Sequence, residues 1–138
     1  MLFFAPPREH FFRPLTHENR ELCAGVLRAL YERVHGANAD YAEALTREVV
    51  LEVIGRVLAD PVMRALAFES GDSISVEEER SYAGELLRKL KEHGWLEDYR
   101  DPIDLRPTLK LSRAGKAFSE TFANLDDSRA KTRQRNMR

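Results

Sequence analysis

The fold is decided by residues 86–96, which read LLRKLKEHGWL. Apolar residues at three- and four-residue steps, typical of a helix, end there at Gly94. Glycine takes the left-handed backbone angles that commonly end a helix. Trp95 and Leu96 follow at once, and the apolar period changes to two, as in a strand. The stretch therefore predicts a helix that passes directly into the first strand of a small hairpin.

The helix that ends at Gly94 is predicted to begin after Ser75, a good N-cap residue. Three glutamates at positions 77–79 lie in its first turn, and basic residues lie near its end. This order complements the helix dipole at both termini. Its inner stripe consists of Ala83, Leu86, Leu87 and Leu90.

Two longer helices are predicted before it. The first runs from Thr16, as N-cap, to about His35, because apolar residues recur along one broad stripe. The second lies between Asp40 and Asp60, with its strongest part opening at Thr46, and Pro61 closes it. A short helical turn through Val62 to Phe68 and a loop at 70–73 follow.

The residues after Gly94 predict the rest of the hairpin. Strands are expected at 95–100 and 108–111, joined by a turn at 101–104. Ser112 then caps a last helix whose inward residues are expected to be Ala117, Phe118, Phe122 and Leu125. Three helices, a hairpin and a helix are the order of a winged-helix domain, so the fold class is mainly α with a small β-hairpin. We expect this domain to occupy residues 16–125.

Charge is distributed unevenly along the chain. The 22 basic and 23 acidic residues give a net charge of −1. The last ten residues carry five basic residues and no acid, so the remainder holds 17 basic against 23 acidic residues. An independent nucleic-acid binder usually has a basic body, because phosphate contacts supply most of its affinity. The acidic remainder of the chain does not fit such a binder. Residues 126–138 are interpreted as a basic tail or the start of a further helix.

A DNA-reading winged helix stays open as the alternative. Its contacts would come from the helix before Gly94 and from the hairpin. A recognition helix places its N-terminal residues at the base edges, and here those residues are Glu77, Glu78 and Glu79, which phosphates repel. The charge pattern therefore favours a protein partner over DNA. The candidate DNA contacts are Arg88, Lys89, Lys91, Arg100, Arg106 and Lys110.

Nothing in the sequence predicts an enzyme, a cofactor or a metal site. Cys23 is the single cysteine, so an internal disulfide and a cysteine metal cage are excluded. The four histidines are scattered, and no Gly-rich phosphate loop or nucleophile motif occurs. No apolar run is long enough to span a bilayer, and the first residues lack the basic start of a secretion signal. We expect a cytoplasmic protein.

The first 15 residues form an aromatic, proline-rich arm that is the best candidate for an interaction surface. Its phenylalanines need apolar surroundings, since each can bury about 150–250 Å². Phe11 and Phe12 either cap the domain's own core or face a partner, whereas Phe3 and Phe4, before two prolines, are expected to reach another chain. The candidate interface comprises Phe3, Phe4, Phe11, Phe12, Tyr31 and Tyr41.

Residues 10–21, which read HFFRPLTHENRE, and residues 27–32, which read LRALYE, resemble the N-terminal region of the JetA family. JetA is the kleisin-like subunit of the Wadjet anti-plasmid systems and is similar to the MukF and MksF kleisins of bacterial condensins. The two adjacent phenylalanines, the polar cap and the helix ending in Leu30-Tyr31-Glu32 carry the resemblance. It covers about the first 125 residues.

The resemblance implies a specific role. In this family an N-terminal winged helix is expected to pair two kleisins and so join two SMC motor units. Homodimerisation is therefore expected, with an SMC-like ATPase and a small winged-helix subunit of the KITE type as partners of the full-length protein. The complex would act on DNA, associated with the nucleoid, while ATP hydrolysis and nuclease chemistry lie in other subunits. Kleisins of this type are longer than 138 residues, so the chain is interpreted as an N-terminal fragment.

Overall fold

A computed structural model describes residues 2–36, 45–68 and 74–136, with side chains described as far as residue 125. The predicted fold class is confirmed: the structure is mainly helical with one antiparallel hairpin, in the order of a winged-helix domain. A single 3-10 turn at Arg13–Leu15 precedes the first helix. The main elements are α1 (Arg20–His35), α2 (Arg47–Leu58), α3 (Pro61–Ala67), α4 (Val76–Glu92), β1 (Leu96–Arg100), β2 (Pro107–Leu111) and α5 (Arg113–Asn136).

The starts of α2, α3 and α4 are fixed by side-chain caps. The Thr46 hydroxyl accepts a hydrogen bond from the backbone N–H of Val49 at 3.2 Å. The carboxylate of Asp60 accepts one from the Val62 N–H at 2.9 Å. The Ser75 hydroxyl accepts a hydrogen bond from the Glu78 N–H at 3.1 Å, and Ser75 is the N-cap that the sequence predicts. Each cap satisfies a helix N–H that has no partner within the helix.

The predicted start of α1 is wrong by about one turn. The helix begins at Arg20, after Asn19 as N-cap. Pro14 instead favours a separate 3-10 turn, and the Thr16 hydroxyl donates back to the carbonyl of Arg13 at 2.9 Å, so Thr16 ends that turn. The predicted second helix begins at Arg47 in the structure, and residues 37–44, which include Asp40, lie outside the described residues.

The hairpin pairs β1 with β2 from Leu96 opposite Leu111 to Arg100 opposite Pro107. Residues 101–106 form the wing between them. One further pairing was not predicted: the Leu109 N–H donates to the carbonyl of Leu45 at 2.7 Å, which adds a single bridge from the segment just before α2. The sheet itself has two strands, and this bridge adds one residue pair on the other side of β2.

The core lies between α1, α2, α4 and the hairpin, with Trp95 among its largest fully buried side chains. The predicted inner face of α5 needs correction. Ala117 and Leu125 point to solvent, with Leu125 60% exposed, whereas Ser119 and Ala123 are buried against the domain. Small side chains on that face allow α5 to pack closely along α1. The helix continues to Asn136, so the backbone of 126–136 extends the last helix of the domain.

Candidate interaction surface

The arm is attached to the domain through Phe11 and Trp95. Both side chains are fully buried, and their rings stack with centroids 4.0 Å apart and planes 15° apart. The indole Nε1–H of Trp95 donates to the carbonyl of Phe11 at 2.6 Å, which satisfies both buried groups. Gly94, at φ +87°, lets the arm come close, because a Cβ there would lie 3.3 Å from the carbonyl oxygen of Pro7. Phe11 therefore belongs to the chain's own core, one of the two placements that the sequence left open.

Phe3, Phe4, Phe12 and Phe118 form one contiguous cluster, which we call the aromatic patch. The ring of Phe3 stacks on Phe12 at 6.1 Å, and Phe4 meets Phe12 edge-on at 6.0 Å. Phe118, from α5, supports Phe12 from below at 5.2 Å. Phe3 and Phe4 are 36% and 54% exposed, whereas Phe12 and Phe118 are half-buried. The two outer rings thus rest on two inner ones and present apolar surface to solvent.

The arm holds this geometry with contacts of its own. Arg8 donates from Nε to the carbonyl of Phe3 at 2.6 Å, and its guanidinium lies 4.8 Å from the centre of the Phe3 ring. The cation over the ring face adds an electrostatic attraction to the hydrogen bond. Leu2, 79% exposed, extends the apolar surface beyond the patch. The sequence analysis missed Leu2, Arg8 and Phe118, although Phe118 was predicted to face inward.

The two tyrosines of the candidate interface are placed differently. Tyr31 is half-buried on α1, with its ring 5.3 Å from the imidazole of His35, and has no ring contact with the aromatic patch among the described residues. Tyr41 lies outside the described residues. The structure therefore brings together only the phenylalanines of the predicted set.

The candidate DNA face carries few free cations. Of its six predicted contacts, only Lys89 and Arg100 form no ion pair with another described residue. The other four are held by acids on the same surface: Arg88 by Glu85 and Glu92, Lys91 by Asp98 at 2.9 Å, Arg106 by Asp104 at 2.9 Å and Lys110 by Glu97 at 3.4 Å. Residues 75–111 hold nine acidic and seven basic side chains, so this surface is net negative and repels phosphate.

The described residues offer little for catalysis or metal binding. Burial raises the pKa of the Cys23 thiol to about 11, so the thiol stays protonated and unreactive at neutral pH. Within the described ranges, no group of three or more potential ligands (histidine, cysteine, aspartate or glutamate) could hold a metal ion. None of the helices traced there is both long and apolar enough to cross a membrane. The arrangement instead offers exposed apolar side chains that can pack against another molecule.

A comparison with protein-family models matches residues 29–136 to the family described as Wadjet protein JetA. The chain belongs to the JetA family. The predicted JetA family is therefore confirmed, by a match that includes only residues 29–32 of the stretch that carried the resemblance, and this JetA chain is a protein of the Wadjet anti-plasmid systems. No curated protein and no solved structure matches it.

The family match covers the last seven residues of α1 and every later element, from α2 through the hairpin to the end of α5. It leaves out residues 2–28, which hold the arm and the first part of α1. Phe118 is thus the only member of the aromatic patch inside the matched region of this JetA chain. The family match therefore lies in the domain that supports the aromatic patch. The exposed rings, Phe3 and Phe4, precede the matched residues.

Proposed function

We propose that this chain is the N-terminal winged-helix dimerisation domain of a kleisin-like JetA subunit, and that two copies pair through the aromatic patch. In the full-length protein this pairing joins two SMC-type motor units, each with an SMC-like ATPase and a small KITE-type subunit. The assembled complex, rather than this domain, acts on plasmid DNA at the nucleoid. The domain itself performs no chemistry and works as a connector.

The observation that carries the proposal is that Phe3 and Phe4 are exposed on a fixed aromatic support. A phenylalanine side chain presents about 200 Å². At 36% and 54% exposure the two leave about 180 Å² to bury. At about 25 cal/mol per Å² this is worth up to about 4–5 kcal/mol per protomer. Contiguous apolar patches on a protein surface mark interaction sites when they reach several hundred Å², and these two rings form part of such a patch together with Leu2.

A stable dimer needs more area than the two rings supply, because specific interfaces bury at least about 1,000 Å² in total. Leu2 is exposed beside them, and the remaining edges of Phe12 and Phe118 add to the same surface. A two-fold axis doubles each contribution, since the same patch is used on both protomers. The aromatic patch would therefore form the centre of the interface, where residues that dominate binding energy usually lie.

The acid-paired cations on α4 and the hairpin support this proposal over a DNA-reading role. Each ion pair would have to open before its cation could bind a phosphate. The glutamates at 77–79 occupy the end of α4 that would face the bases. No observation on this surface favours sequence-specific DNA binding.

Sedimentation velocity on the 138-residue chain tests the proposal. We expect a dimer at tens of micromolar. The double variant Phe3→Ser/Phe4→Ser should sediment as a folded monomer, with a dissociation constant raised at least about 100-fold, because each dimer loses four exposed rings. Ile103→Ser is the matched control, since Ile103 is an apolar residue on the wing that is 92% exposed. The proposal fails if the wild-type chain is still monomeric at about 100 µM, above the expected range, or if the control variant dissociates equally.

A further inference from the structure

A second feature lies where the start of α1 meets the middle of α4. There the structure has a partly enclosed cavity of about 310 Å³, which we call the α1–α4 cavity. Apolar groups line part of it: the buried side chains of Pro14, Cys23 and Leu86, and the ring of Tyr82. This volume is at the lower end of the range for small-molecule sites, about 300–1,000 Å³. It has room for one ring or a short alkyl chain and one charged group.

The cavity is also lined by positive charge. Arg13, His17, Lys89 and His93 line it together with Arg88, whose charge is engaged by Glu85 and Glu92. The pKa of His93 is lowered first by burial and also by the charges of Arg13, His10 and Lys89, against the opposing effect of Glu92. The lining thus holds three basic side chains, Arg13, Arg88 and Lys89, against the two carboxylates of Glu85 and Glu92, which leaves one net positive charge.

Asn19 and Tyr82 are further polar residues in the lining of the cavity. Asn19 is the N-cap of α1 and lines the cavity, and its side chain makes no capping hydrogen bond, while Glu21 in the first turn offsets the helix dipole. The Tyr82 hydroxyl is buried near Cys23 and has no hydrogen-bond partner among the described residues. Because this oxygen has essentially no exposed surface, a ligand in the open cavity would contact the Tyr82 ring rather than its hydroxyl.

We propose that the α1–α4 cavity binds a small amphipathic anion, with a single carboxylate between Arg13 and Lys89 and an apolar group against Pro14, Leu86 and Tyr82. Polyphosphates and nucleic acid fit less well, because Glu85 and Glu92 at the same cavity repel additional negative charge. A free organic acid and the C-terminal residue of a protein chain share this chemistry. The site does not depend on dimerisation.

The test is a ¹⁵N NMR titration of the full 138-residue chain with phenylacetate. We expect shifts confined to amides around the cavity, with a dissociation constant in about the millimolar range for a ligand of this size. Phenylacetamide, which has the same shape but no charge, should bind at least about tenfold more weakly. N-acetylphenylalanine distinguishes the two sources: tighter binding than phenylacetate indicates a chain terminus, and weaker binding a free acid.

Variants separate the site from general affinity for anions. Arg13→Gln combined with Lys89→Gln should weaken phenylacetate binding at least about tenfold, because both charges that hold the carboxylate are removed. Arg100→Gln removes an exposed charge on the hairpin and should leave binding unchanged. The amide spectrum of each variant shows directly whether it is folded. Equal binding of phenylacetamide, shifts spread over the surface, or unchanged binding to the double variant would overturn the proposal, and so would stronger binding of inorganic phosphate.

Discussion

Substitution of Phe11 by alanine should show that the arm is part of the folded domain. The Phe11 ring is fully buried and stacks on Trp95 at 4.0 Å, with Phe3 and Phe118 both 5.6 Å away. A buried phenylalanine changed to alanine costs about 3–5 kcal/mol, from lost transfer free energy and the cavity left behind. For a chain of this length that corresponds to a fall in Tm of about 10–15 °C. Few other single substitutions in the arm should approach this effect.

Urea unfolding followed by fluorescence provides the assay, because Trp95 is the single tryptophan and lies directly against Phe11. Ile103→Ala is the control: its side chain on the wing is 92% exposed and lies outside the proposed interface, so we expect a loss below about 1 kcal/mol. The free energy of unfolding is obtained from the midpoint and slope of each curve. If Phe11→Ala costs less than about 1 kcal/mol, the arm packs on the domain too weakly to belong to its core, and the reasoning is refuted.

The remaining predictions concern titratable groups. Since burial raises the pKa of Cys23 to about 11, a thiol reagent such as Ellman's reagent should label the folded chain far more slowly than the urea-unfolded chain at pH 8; equal rates would contradict the buried placement. Burial lowers the pKa of His93 below its ordinary 6.5, so the unfolded state binds more protons and the free energy of unfolding should fall as the pH drops through that value. In His93→Gln the free energy of unfolding should fall less steeply between about pH 7.5 and pH 5.5. Part of the fall should remain, because the pKa of His35 is lowered too. If the variant and the wild type lose stability equally over this range, His93 is not the group responsible.

Local signals in the sequence were sufficient for α4 and the hairpin. The Ser75 cap, the apolar stripe and Gly94 each act over a few residues, so their effect does not depend on distant parts of the chain. The same holds for the change of period at Trp95. These features are enough to predict the winged-helix order before any contact is known.

Features that depend on distant contacts were predicted less well. The bridge between Leu45 and Leu109 is one residue pair separated by most of the domain, and it leaves no periodic pattern. The inner face of α5 was misassigned because Ser119 is polar and Ala123 is small, and only the close approach of α1 explains why both are buried. The sequence also did not decide whether Phe11 packs on the domain's own core or on a partner. Its placement depends on the indole of Trp95, which lies 84 residues further along the chain.

The same holds for the α1–α4 cavity. Arg13 and His17 precede α1, whereas Lys89 and His93 lie near the end of α4, so no spacing in the sequence indicates that they line one space. The family match begins at residue 29 and so does not include Arg13 or His17. Only the packing of the two helices brings these groups together.

Trp95 links the two ends of the domain. Its indole holds the carbonyl of Phe11, while its own carbonyl accepts the Ser112 N–H at 3.0 Å, and Gly115 fits below because a Cβ there would lie 2.4 Å from that oxygen. A shift of the start of α5 would therefore move the backbone of the residue that anchors the arm. The orientation of the exposed rings of Phe3 and Phe4 is thus tied to the start of α5 through one residue, Trp95.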